Sequence, residues 1–97
     1  MPYIEDKYRE MIDEEIDALI EKMHLMSEVN KEFSVSMRAG ILNYVITRVI
    51  NGLIGLAVRY SKINEVIGAL ECCKLELYRR VAAPYEDEKI KSNGDVY

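Results

Sequence analysis

GILNYVITRVINGLIGLAV, residues Gly40–Val58, is the most apolar run in the chain, and its reading decides the fold. Leu42, Val45, Val49, Leu53 and Leu56 recur at steps of three and four, the spacing of one helical stripe. Ile41, Tyr44, Ile46, Ile50, Ile54 and Val58 cover much of the remaining circumference. The β-branched content would suit a strand, but the run is far longer than strands usually are. A helix over about Met37–Arg59 is therefore expected, in which Gly52 and Gly55 either cost about 1 kcal/mol each or permit close helix approach. The run also approaches the length of a membrane span. It carries Asn43, Thr47, Arg48 and Asn51, however, and an arginine at the centre of a lone span costs at least ~2.5 kcal/mol. A soluble helix is the better reading. A helix apolar on nearly every side needs cover on nearly every side, and 97 residues fold into few helices with which to provide it. The expectation is a homo-oligomer.

The flanking segments are helical too. Glu5–Met11 reads as a short entry segment, and Asp13 as the cap of a longer helix ending near Val29. Glu14, Glu15 and Asp17 oppose the positive end of that helix's dipole, while Ile12, Ile16, Leu19, Ile20, Met23 and Met26 form its apolar stripe. Asn30–Ser36 reads as a connection in which Ser34 or Ser36 caps the next helix. Beyond the central run, Ser61 is expected to cap a third long helix over about Lys62–Ala83, with Ile63, Val66, Ile67, Leu70, Leu77 and Val81 buried. Glu76 and Arg80 are spaced as a favourable i,i+4 pair. Pro84 either ends this helix or opens a short one over Tyr85–Lys91, where Glu86, Asp87 and Glu88 suit a helix start. Ser92–Asp95 reads as a turn. The fold class is all-α: one domain over residues 1–97, three main helices with short N- and C-terminal helical segments, and an acidic C-terminal segment from 85 to 97.

Composition narrows the function classes. Thirteen Lys and Arg against 17 Asp and Glu give a formal net charge of -4, which opposes bulk nucleic-acid binding because that needs a basic face. Cys72 and Cys73 are adjacent, and helical neighbours point about 100° apart, a poor arrangement for a mutual disulfide. With no cysteine framework and no signal-peptide pattern, the cytoplasm is the expected location. His24 has Glu21 and Glu28 at helical spacing but no HExxH pattern, so a solvated polar face explains it better than a metal. No glycine-rich phosphate loop, nucleophile elbow or CxxC spacing appears. No reaction, metal or cofactor is specified, and an enzyme is not expected.

Binding has more to work with. Arg79 and Arg80 follow Tyr78 and precede Pro84 and Tyr85, so two guanidiniums stand beside tyrosines at a proline break. Such a set can grip phosphates while the rings stack on bases; the plainer reading pairs Arg80 with Glu76 and Arg79 with another acidic neighbour. Arg48 has the same double reading. A charge in the middle of the most apolar run needs either a partner, such as an intersubunit ion pair, or a ligand. The cluster at Tyr8, Arg9 and Glu10 is equally ambiguous.

Two resemblances follow from particular residues. Leu42–Arg48, Leu75–Glu86 and the ending Asn93–Tyr97 resemble a family of small uncharacterised proteins of tailed phages and some prokaryotic genomes. That likeness covers most of the chain and implies a phage or prophage setting. Tyr8-Arg9-Glu10-Met11 followed by Glu14-Glu15-Ile16-Asp17 is similar to the opening of the phage anti-CBASS sponge proteins. Leu77, Arg79, Val81, Ala82 and Pro84 are similar to their closing Leu-x-Arg-x-Val-Ala-x-Pro. Those sponges are helical homo-oligomers that sequester cyclic oligonucleotide signals without degrading them. The resemblance implies that Tyr8 stacks on a base and Arg79 contacts a phosphate. The family's lysine on the first long helix falls at Met23, leaving the neighbouring Lys22 to serve, and the middle helix is longer here than in the family. The expected ligand-binding residues are Tyr8, Lys22, Arg79, Arg80 and Tyr85. The expected partners are further copies of the chain and a cyclic or other nucleotide-derived signal, in a host cytoplasm. The rival from another class is a homo-oligomeric adaptor, or an inhibitor of a host protein, with the arginines in structural salt bridges.

Overall fold

The computed structural model describes residues 3–29 and 35–97, excluding the side chains of residues 29, 35 and 36. Among the described residues the fold is all-α, with no strand. Backbone contacts divide the chain into two units, one over Tyr3–Ala57 and the other formed chiefly by Val58–Tyr97.

The first unit begins with α1, Asp6–Glu10, and α2, Asp13–Val29. The Ile16 N–H donates to the Ile12 carbonyl at 3.1 Å, so helical bonding starts ahead of Asp13. Asp13 is thus the first helical residue rather than the cap. Its charge, with Glu14 and Glu15, still lies in the first turn, where the backbone N–H groups are unpaired. Helix α3 spans Val35–Ile54. Of the connection expected at Asn30–Ser36, residues 30–34 lie outside what is described, Ser34 with them, while Val35 and Ser36 are already helical, so Ser36 is not the cap.

The central helix is shorter than the hydrophobic pattern predicts. Gly55 takes φ 66° and its N–H closes on the Asn51 carbonyl at 3.1 Å. Glycine reaches this left-handed conformation without the Cβ penalty other residues incur, and it commonly stops helices in this way. Leu56 therefore leaves the stripe that its spacing implied and is fully exposed, and Val58 lies beyond the helix.

In the second unit α4 runs from Tyr60 to Leu77. Its cap is Arg59, extended at φ -136° and ψ 149°, and the Ile63 N–H bonds the Arg59 carbonyl at 3.1 Å. Ser61, expected to be the cap, sits inside the first turn. Past Leu77 the helix does not stop. Tyr78–Ala82 form a π turn, with the Ala83 N–H reaching back five residues to the Tyr78 carbonyl, and α5 continues over Ala83–Asn93. Pro84 supplies the reason. In a regular α-helix its ring would meet the carbonyl four residues back, that of Arg80, and its missing N–H would leave that carbonyl without a partner. The wider turn relieves the conflict, so the proline opens α5 while the chain stays helical. Ser92 and Asn93, expected in a turn, are helical as well. Gly94 at φ 89° ends α5, its N–H bonding Ile90 at 2.9 Å.

No described side chain is buried. The chain exposes 8973 Å² for a mass of 11.2 kDa. A compact monomer of this mass exposes about 5,700 Å², and two separate compact units of half the mass together expose about 6,900 Å². Even on the second comparison roughly 2,000 Å² more than expected remains open to solvent. Along α3 the excess is apolar: Leu42 and Val49 are each 52% exposed and Leu53 is 73% exposed, all on the same stripe.

Candidate functional site

In the first unit Tyr8 lies exposed on α1, with the Lys7 ammonium 5.0 Å from its ring centroid. The neighbouring Arg9 is already engaged. Its Nε donates to the Ile4 carbonyl at 2.7 Å, and one terminal nitrogen lies 3.4 Å from Asp6. Lys22 lines a cleft of about 390 Å³ between α2 and α3, whose walls include Leu19, Met23, Met26, Met37 and Tyr44. A second cleft between the same helices, about 440 Å³, is lined by Ile20, Met23, His24, Ser27, Arg38, Ile41 and Leu42.

Arg48 finds a partner on its own helix. One guanidinium nitrogen donates to the Tyr44 hydroxyl at 3.0 Å, and the group lies 5.8 Å from the Tyr44 ring centroid. One turn apart on the same side, the Thr47 hydroxyl donates to the Asn43 side-chain oxygen at 3.4 Å. Asn43, Tyr44, Thr47, Arg48 and Asn51 thus occupy one polar side of α3, which is more amphipathic than its composition suggests. Sequence reasoning missed Tyr44 as the partner of Arg48. The i,i+4 spacing of the two was the signal available.

The other three expected residues belong to the second unit. Arg79 and Arg80 ride on the π turn, and Tyr85 follows Pro84 at the start of α5. A terminal nitrogen of Arg79 lies 3.0 Å from both carboxylate oxygens of Glu76, one turn earlier. The Arg79 side chain is nonetheless 66% exposed. Tyr85 is exposed, with the Lys89 ammonium 5.4 Å from its ring centroid. The π turn is stapled from outside: the Tyr78 hydroxyl donates to the Glu86 carboxylate at 3.1 and 3.2 Å, bridging eight residues across Pro84.

That bond has a titration signature. The hydrogen bond to Glu86, reinforced by its negative charge, raises the Tyr78 phenol above its ordinary value of 10.0, because ionisation would remove the donor and set two anions side by side. A group held more tightly protonated in the fold contributes stability below its unfolded pKa and loses it as pH rises through the folded value. The wild type is expected to lose helicity above about pH 10 more steeply than Tyr78→Phe, followed by circular dichroism against pH. Superimposable curves would dissociate the staple from the turn.

Catalytic features are sparse. Among the described residues no group of three or more His, Cys, Asp or Glu side chains gathers to hold a metal. Cys72 is a half-buried free thiol and Cys73 an exposed one. Among the described residues no helix is long and apolar enough to cross a membrane. The arrangement offers exposed cation–aromatic pairs on helical surfaces, and these suit recognition of anions and rings.

Residues 1–96, nearly the whole chain, match the model of one family. The chain belongs to the family described as Domain of unknown function (DUF6899). No curated protein and no solved structure matches it. What this DUF6899 chain binds must therefore be argued from its own surface.

Proposed function

We propose that this DUF6899 chain is a non-enzymatic helical homo-oligomer that captures a cyclic or other nucleotide-derived signal between its copies. The observation that carries the reading is the uncovered apolar surface: no described side chain is buried, and Leu42, Val49 and Leu53 face solvent along one stripe of α3. A second copy laid on that stripe covers it and supplies dry walls beside exposed cations. In the Val58–Tyr97 unit Arg79 and Arg80 grip phosphate oxygens and Tyr85 stacks on a base; in the Tyr3–Ala57 unit Tyr8 stacks on a base. Lys22 adds a further positive charge. The sponge-like opening at Tyr8 and closing at Arg79 support the choice of ligand, and the phage-like segments support a host cytoplasm as the setting.

Calorimetry against a panel of cyclic di- and trinucleotides and cyclic ADP-ribose isomers tests the proposal. At least one member is expected to bind with saturable heat at protein concentrations that keep the oligomer intact. Absence of heat from every member removes the capture reading.

One observation favours the second reading, a protein–protein adaptor or inhibitor of a host protein. The two-oxygen contact of Arg79 with Glu76 is what a structural arginine makes. On this reading, affinity purification from infected cells recovers a stoichiometric protein partner, and the nucleotide panel stays silent.

A further inference from the structure

We propose that the cleft between α2 and α3 that carries His24 and Arg38 binds an amphiphilic anion, a carboxylate or phosphate head on an unbranched apolar tail. This goes beyond the nucleotide reading: it concerns another ligand class and none of the residues assigned to the nucleotide, and of its lining residues Leu42 alone also lies on the α3 stripe that a second copy would cover.

The cleft is asymmetric. Ile20, Met23, Ile41 and Leu42 give it apolar walls, while His24, Ser27 and Arg38 are its polar members. Ser27 and Arg38 are the lining residues nearest the connection between the helices, and Ile20 and Leu42 are the furthest along each helix from it. The polar groups therefore gather at one end and the apolar walls run away from them. A ligand that fits must have a head and a tail. The volume, about 440 Å³, lies within the roughly 300–1,000 Å³ of small-molecule sites.

Charge selects the head. No Asp or Glu lines the cleft, and none occurs anywhere in α3. Arg38 has no ion-pair partner among the described residues. In a chain of net charge -4 the formally charged side chain among the lining residues is thus a cation, Arg38. The planar guanidinium can hold a carboxylate or phosphate through two parallel bonds, and His24 contributes an imidazole to the same lining. The Ser27 hydroxyl donates its proton to the His24 carbonyl at 2.7 Å, so it is not the donor that a head group meets. Met23 suits the tail because its unbranched thioether adapts to irregular apolar shapes.

The test titrates the full-length protein with decanoate, decyl phosphate, decyl maltoside and inorganic phosphate below micellar concentrations, read by calorimetry and by shifts of the Met23 and Ile41 methyl resonances. Decanoate and decyl phosphate are expected to bind one per chain, at least about tenfold tighter than decyl maltoside, given the strength of charged hydrogen bonds. Inorganic phosphate is expected to show no saturable binding. Arg38→Ala should weaken both amphiphilic anions about tenfold or more and leave decyl maltoside unchanged; Arg38→Lys should restore part of the loss. Arg79→Ala should leave decanoate binding untouched, so failure of the nucleotide reading and failure of this one are separable. The proposal is overturned if no amphiphile binds, if decyl maltoside binds as tightly as decanoate, or if Arg38→Ala, with helicity retained, binds decanoate like the wild type.

Discussion

Val49→Lys is expected to turn the proposed oligomer into an 11 kDa species with much of its helicity lost, a large effect from one substitution on a residue that the isolated chain leaves half open. If Val49 stays in solvent, the change should be nearly neutral, since surface substitutions usually fall within about ±0.5 kcal/mol. Lysine is even the better helix former. If instead a second copy covers the stripe of Leu42, Val49 and Leu53, the change places an ammonium in an apolar contact without a partner, at a cost of several kcal/mol per subunit. With no side chain buried among the described residues, the single chain has little core to fall back on, so dissociation and unfolding should coincide. Light scattering coupled to size exclusion, with circular dichroism on the eluted peak, reads both. Wild-type mass together with wild-type helicity in the variant would mean that this stripe is not the contact. A clean wild-type monomer would remove the oligomer altogether.

The helices themselves were legible because periodicity reports burial pattern directly. Ile12 to Met26 and Leu42 to Leu53 repeat at helical steps, and both segments are helical. The boundaries were less legible, because a backbone event outvoted the pattern at each. Leu56 continues the stripe of α3 in sequence, yet Gly55 reverses the sign of φ one residue earlier, and hydrophobicity carries no trace of that. Pro84 reads as a stop or a start in any local rule. The outcome is neither a clean stop nor a regular continuation, since a π turn lets α4 pass into α5. That solution depends on how the carbonyl of Arg80 is rehoused, which composition cannot state. Of the site, the residue types were visible and the pairings were not. Arg48 announced a need for a partner, and the structure answers it with Tyr44 on the same helix. The cleft holding Arg38 and His24 joins residues from two helices, and no single segment advertises it.

Arg79→Ala should cut affinity for the panel nucleotide that gives the most heat by thirtyfold or more, whereas Glu76→Gln should leave it unchanged or raise it. Truncating one member of a desolvated, hydrogen-bonded charge pair costs about 2–5 kcal/mol, and a phosphate held in a dry intersubunit cleft is such a partner. The Glu76 carboxylate, 3.0 Å from the Arg79 guanidinium through both oxygens, competes with that phosphate for the same donors. Neutralising it removes that competitor without moving the arginine from the π turn. Stability does not confound the comparison. Arg79 is two-thirds exposed and Glu76 28% exposed, so solvent screens the pair from the arginine side and holds its contribution to about 1 kcal/mol; both variants should melt within a few degrees of the wild type. The two readings then part cleanly. If Arg79 acts only through its contact with Glu76, the two variants act alike, because either one breaks that contact. If it grips a ligand, they act in opposite directions. An Arg79→Ala protein that binds the nucleotide within about threefold of the wild type would assign the residue to Glu76, and the capture site would have to be sought elsewhere on the surface.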